Sequence, residues 1–187
     1  MTGDTHYAPP EATAEGALTL EDPATLRERE DITVTETTQE HETRDHCGID
    51  NDGHVVVAVR NSNDELLLMQ NDEHEIAILP HGTVEPGQDW AAAAREEVEA
   101  VTGVSIALDG VDVLRDVDHV VEDEEEPHVS TYRVIFAGRP VGGEIQDCKQ
   151  GPEAGSDRWW TCWSDGLPAE ASVPPGGPGE DLTYILD

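Results

Sequence analysis

The sequence predicts an α+β fold. Three strand-like apolar runs follow one another before residue 80, a segment at 80–104 has the start and stop signals of a helix, and alternating apolar runs resume after it. At 187 residues the chain suits one domain with extensions and can bury a full core.

Residues 1–21 mix Pro, Gly, Ala and Glu without periodicity and read as a disordered tail. Asp22 and Pro23 offer an N-cap and a first helical residue for a short helix to about Glu30. The run ITVTETT from Ile32 alternates β-branched and polar residues, as a strand does. Gln39 to Gly48 is a connector, so 22–52 form an N-terminal helix and strand extension, and the main domain spans 53–187.

GHVVVAVR, ending at Arg60, is a continuous apolar run between turn formers and reads as a buried strand. NSND turns the chain, ELLLMQ to Gln70 returns as a hairpin partner, and EIAILP to Pro80 is a third strand. Pro86 and Gly87 then bar regular structure, Asp89 stands where an N-cap belongs, and from Trp90 the residues favour helix. Gly103 ends the helix, because the position after a helix is commonly left-handed. A loop feeding a helix start in this way is a ready site for an anion such as phosphate.

After Gly103, SIALDGVDVLRDVDHVV alternates as one or two strands to about Val121. VEDEEEPH reads as a solvated hairpin tip rather than a metal cluster, since consecutive carboxylates repel and diverge. STYRVIFAGRP is a strand with Tyr132, Val134 and Phe136 on one face and Arg133 on the other. The polar loop GGEIQDCKQGPEAGSD leads to a strand, RWWTCW. SDGLPAE then begins a short helix, VPPGGPGE is a flexible break, and DLTYILD docks as a last element.

The segment PHGTVEPGQDWAAAAREEVEAVTGV resembles the Nudix box, the signature of the Nudix hydrolase superfamily. The frame residues are Gly82, Gln88, Glu96, Val98 and Gly103, with Val104 closing the box. Gln88 falls where the family has glutamate, and Glu96 where it has arginine. That pair can still share an amide-to-carboxylate hydrogen bond. A frame slipped by one would use Arg95, Glu96 and Glu99, but Gly82, Val98, Gly103 and Val104 all support the unslipped one. The strand, strand, strand, loop, helix order agrees with the family fold, so the resemblance implies a mixed β-sheet sandwiched by helices (α/β/α).

The resemblance also implies chemistry: metal-assisted hydrolysis of a nucleoside diphosphate linked to another moiety, with Mg²⁺ or Mn²⁺ held by glutamates at positions 97, 100 and 101. At about 100° per residue those positions share one helix face. Here they are Glu97, Ala100 and Val101, an incomplete set for hard cations. Apolar residues on that face imply that it is either packed or unused. Glu97 is the candidate catalytic residue and metal ligand. Glu96 and Glu144 are further metal candidates, and Asp147, Glu153 and Asp157 share the variable loop with Glu144. Arg95 and Arg133 are candidates to face an anionic substrate. The alternative is a non-catalytic Nudix-fold module that binds a nucleotide-like ligand or a protein partner.

The formal net charge is -32, from 42 acidic and 10 basic residues, and Lys149 is the one lysine. Such an excess destabilises a compact state by self-repulsion unless salt screens it, so it reads as halophilic adaptation of the haloarchaeal type. This surface repels nucleic acid and anionic membranes, leaving a small diphosphate or nucleotide-like molecule as the expected partner. The N-terminus has no signal-peptide pattern and no run is long enough to span a membrane, so a cytoplasmic location is expected. Cys47, Cys148 and Cys162 have no paired short spacing and give no disulfide framework. His41, His46 and Cys47 can bind a soft metal, but with no fourth ligand nearby in sequence they read as a polar linker.

Overall fold

The computed structural model describes residues 17–46, 50–145 and 159–187. Cys47, Cys148, Asp147, Glu153, Asp157 and most of the expected tail lie outside the described residues.

A single 3-10 segment, Pro23–Glu28, opens the described chain, with Asp22 accepting from the amide of Ala24 as its cap. β1 (Thr33–His41), β2 (Gly53–Val59), β3 (Leu66–Asn71), β4 (Ile76–Ile78) and β5 (His81–Val84) precede α1 (Trp90–Thr102). β6 (Val104–Val121), β7 (Val129–Gly143), β8 (Trp159–Ser164) and α2 (Gly177–Leu186) complete it.

A five-stranded sheet has the order β1-β6-β7-β2-β5, and a three-stranded sheet the order β4-β3-β8. The larger sheet is mixed: β1 runs parallel to β6 and β2 parallel to β7, while β6 with β7 and β2 with β5 are antiparallel. Val55, Val57, Val134 and Phe136 face α1, burying Trp90, Ala94 and Val98 with them. Val56, Ala58 and Ile135 point the other way, toward Leu66, Leu68 and Leu182 of α2. The two-faced burial of β2 explains why its sequence is apolar without alternation. The result is the mixed sheet between helices that the sequence implied.

Several local expectations change. β2 and β3 are not a hairpin ladder, because β5 and β7 already occupy both edges of β2. The turn after Arg60 instead passes the chain from one sheet to the other, with only the Arg60–Leu66 bridge between them. Residues 81–84, expected as loop, form β5 by pairing Gly82 with Val55. β6 is one strand of 18 residues with register shifts rather than two strands. Residues 165–170 contain no helix. The last helix instead begins at Gly177, inside the expected break, where Gly176 has φ 88 and a side chain on Gly179 would overlap the carbonyl of Pro174. Within the expected tail, Leu18 and Leu20 pack against the α1 core. β1, from the expected extension, forms an edge of the main sheet. No helix among the described residues is long and apolar enough to cross a membrane.

Candidate functional site

Asp89 caps α1 twice over. Its Oδ1 accepts from the Ala92 amide at 2.7 Å and its Oδ2 from the Leu20 amide at 2.8 Å. The Trp90 amide donates to the Leu20 carbonyl at 2.8 Å, and that of Ala93 to the Asp89 carbonyl at 2.9 Å. The helix start expected to receive an anion is therefore largely satisfied from within the chain, beside a carboxylate. The adjoining hollow is lined by Asp50, Asp52, Trp90 and Tyr132, which gives an anion no cationic partner there.

At the other end, Gly103 takes φ 77 and its amide closes on the Glu99 carbonyl, as the glycine stop required. Between these ends, Gln88 donates through Nε2 to Glu96 Oε2 at 3.4 Å, so the exchanged pair still ties loop to helix. The Gln88 side chain also accepts from the Glu85 amide at 3.1 Å, which closes the loop on itself.

Glu97 is half-buried, lying against β5 where Gly82 leaves room for it. Ala100 is exposed, and Val101 is 38% exposed. Of the two possibilities raised by an apolar face, packing is ruled out: Ala100 and Val101 are open to solvent, and Glu97 is the one carboxylate at the three positions. Glu96 is exposed, and Glu99 accepts from Ser105 Oγ at 3.1 Å. Glu144 is exposed too, with its backbone carbonyl beside Gly103 at the end of the helix.

The two arginines are engaged elsewhere. Arg95 donates through Nη1 to the Leu18 carbonyl at 3.1 Å. Arg133 is buried on the sheet face opposite α1, its Nε 2.5 Å from Asp181 Oδ2, and Arg115 reaches Asp181 Oδ1 at 2.8 Å. Burial pushes the Asp181 carboxyl up, and the two guanidiniums oppose this. His54, whose neighbour across the ladder is Arg133, is lowered to about 4 by burial first and then by Arg133, His81 and His119.

Residues 50–173 match the family described as the NUDIX domain. The chain belongs to the Nudix family. Among solved structures, this Nudix chain is similar to a UDP-X diphosphatase at 13% identity, covering 71% of this chain and 59% of that one with a TM-score of 0.46. It is similar to an ADP-ribose pyrophosphatase from Streptococcus suis 89-1591 at 17% identity, covering 71% and 84% with a TM-score of 0.42. It is also similar to the mMutator MutT protein from Bacillus halodurans at 18% identity, covering 71% and 80% with a TM-score of 0.45. Comparison with curated proteins found no match.

Mg²⁺ wants near-octahedral oxygen ligation, and the three box positions offer one carboxylate, a methyl and an isopropyl group. Glu96 accepts one hydrogen bond from Gln88 and Glu99 one from Ser105. At the three box positions the chain supplies one carboxylate toward the oxygen ligands that such an ion needs.

One cluster escaped the sequence reading. His41, His46 and His119 bring ligand nitrogens within 4.8 Å of one another, and His128 joins them. Burial, followed by the neighbouring histidines, lowers His119 to about 4 and lowers His46 as well. His41 and His46 are close in sequence, but their partners His119 and His128 lie about eighty positions away, beyond any local spacing rule.

Proposed function

We propose that this Nudix chain is a hydrolase-like protein in which metal-assisted hydrolysis of a nucleoside diphosphate linked to another moiety is weak or lost. The observation that supports the reading is the open face at Ala100 and Val101. Two of the three positions where the family would use carboxylates are Ala100 and Val101 in this chain. Glu97 is left as the single box carboxylate. Fold alone does not supply activity when the site is incomplete.

A second reading keeps the frame and drops the reaction, leaving a module that binds a nucleotide-like ligand or a protein partner. It is favoured by the intact bracing of the box, where Gln88 bonds Glu96 and Gly82 accommodates Glu97. The acidic surface fits a cytoplasm of high salt of the haloarchaeal kind, without nucleic acid or membrane as partner.

The test is turnover of ADP-ribose, dinucleoside polyphosphates and nucleoside triphosphates in molar salt with Mg²⁺ or Mn²⁺. The expected rate lies far below that of a box-intact relative. Rapid turnover abolished by Glu97→Gln would overturn the proposal, whereas saturable nucleotide binding without turnover supports the second reading.

A further inference from the structure

Four of the chain's eight histidines, His41, His46, His119 and His128, meet at one end of the five-stranded sheet. The topology places them there. β1 lies parallel to β6 with Gln39 opposite His119 and His41 opposite Val121, so His41 and His119 share a face one diagonal step apart. His128 immediately precedes β7, its amide donating to the His119 carbonyl at 2.9 Å, and His46 returns on the loop after β1. The rings of His41 and His46 stack at 3.7 Å and 2°.

The nitrogens converge as well as the rings. His41 Nε2 is 2.8 Å from His119 Nδ1, and His46 Nε2 is 2.7 Å from His128 Nε2. His119 Nε2 lies 2.8 Å from Thr131 Oγ1. In the tautomer that donates Nε2–H to Thr131, His119 turns the lone pair of Nδ1 inward, which is how an outer hydroxyl orients a metal-binding imidazole.

We propose that His41, His46 and His119 form a binding site for a divalent transition-metal ion that prefers imidazole, Zn²⁺ foremost, with His128 placed to complete it as a fourth nitrogen donor. Hydrogen bonding alone accounts for the two short nitrogen contacts but leaves His128 Nδ1 buried with no hydrogen-bond partner among the described residues. Zn–N bonds of about 2.0–2.1 Å in a tetrahedron separate the nitrogens by about 3.3 Å, so on loading the two short contacts open by about half an ångström while the wider spacings, which reach 4.8 Å, close by side-chain rotation. The acidic tip Glu122–Glu126 next to His128 attracts cations. The Arg44–Glu124 pair at 2.9 Å holds the loop bearing His46 against that tip. Imidazole donors select Zn²⁺, Co²⁺, Ni²⁺ or Cu²⁺ over the hard Mg²⁺ of the Nudix box, so the site is chemically separate from Glu97. Its consequence is a cross-link between the edge strand β1 and the β6–β7 hairpin.

The full chain, stripped with a chelator in molar potassium chloride, is titrated calorimetrically with Zn²⁺ and, separately, with Mg²⁺. Its thermal unfolding is followed with and without Zn²⁺, and Co²⁺ is added for its visible spectrum. One Zn²⁺ per chain, a raised melting temperature and tetrahedral Co²⁺ bands are expected, with no competition from Mg²⁺. His41→Gln and His46→Gln, both at half-buried positions that keep the fold, should each weaken Zn²⁺ binding by at least about tenfold. Thr131→Val should weaken it less, through the orientation of His119. Unchanged Zn²⁺ stoichiometry and affinity in the His41→Gln/His46→Gln double variant, with native circular dichroism, would overturn the proposal. So would the absence of saturable Zn²⁺ binding by the wild-type chain.

Discussion

Gly82 on β5 and Glu97 on α1 touch through a gap that only glycine leaves: a Cβ on Gly82 would overlap the Cγ of Glu97 and stand 2.5 Å from its Oε2. The glycine is needed for close approach and not for backbone conformation, since its φ is not in the left-handed region. Gly82→Ala should therefore preserve the β2–β5 pairing while swinging the Glu97 carboxylate away. Residual turnover, or Mn²⁺ affinity measured by electron paramagnetic resonance, should fall as far as in Glu97→Gln, at least about tenfold, with the melting temperature little changed. Wild-type Mn²⁺ affinity in Gly82→Ala would remove Glu97 from the site.

The exposure of Ala100 and Val101 makes the converse experiment feasible, because new carboxylates there need no burial. Ala100→Glu combined with Val101→Glu should place three carboxylates on one helix face and raise Mn²⁺ affinity by about tenfold or more. Diphosphate hydrolysis should rise from the wild-type level. Isothermal titration with Mn²⁺ decides it: unaltered affinity in a folded double variant would mean that positions 97, 100 and 101 do not converge as the helix phase requires.

The parts of this molecule that were legible in the sequence are those set by local chemistry. Asp89 caps, Gly103 stops, and Gln88 bonds Glu96, because each depends on partners within about three turns of one helix. The Arg115–Asp181–Arg133 cluster and the four histidines were not legible, since each joins strands or helices far apart in the chain whose register no periodicity reveals. The β2–β3 exchange between sheets was hidden for the same reason: a tight turn between apolar runs looks the same whether or not the strands pair. The onset of α2 was missed because Pro175 and the three glycines that follow read as a breaker, while Gly176 and Gly179 in fact permit a tight helix start.

Asp181 is 1% exposed and is gripped by two guanidiniums, so removing it leaves Arg133 buried without its anion. Arg115 keeps Glu180 at 3.4 Å, which limits the damage to one fully orphaned cation. Asp181→Ala should cost about 3 kcal/mol, toward the lower end of the range for broken buried pairs, by denaturant unfolding in molar salt. Replacing the triad with Arg115→Met, Arg133→Met and Asp181→Leu together should recover most of that loss. A near-neutral Asp181→Ala would show that α2 is not anchored through this cluster.

His54 supplies a pH dependence whose sign is fixed by the direction of its shift. Its folded-state value is about 4 against an ordinary 6.5, so the unfolded chain binds the proton first. Its contribution to stability is complete above pH 6.5 and is lost progressively as the pH falls toward 4. Carboxylates titrate in the lower part of the same window and relieve repulsion, which acts in the opposite direction. The comparison is therefore between wild type and His54→Gln, unfolded by urea at steps from pH 7.5 to pH 4. The variant should lose less stability over that range, and parallel curves would show that His54 is protonated equally in both states.

Salt should stabilise this protein, although it weakens every ion pair on its surface. Arg27–Asp116, Arg44–Glu124 and Arg60–Asp64 are exposed pairs of the kind worth at most about 1 kcal/mol each. With 42 acids and 10 bases, even complete one-to-one pairing leaves 32 carboxylates repelling one another. Raising the ionic strength from about 0.1 M to 1 M shortens the screening length from about 10 Å to 3 Å, which removes most of that repulsion and outweighs the lost pairs. The melting temperature should rise steadily across this range in potassium chloride. Glu125→Lys with Glu126→Lys, at the exposed β6–β7 tip, should raise the low-salt melting temperature and flatten the salt dependence. A charge-reversed variant as salt-dependent as the wild type would mean that ion binding or solvent exclusion, and not screening of the acidic surface, sets the requirement for salt.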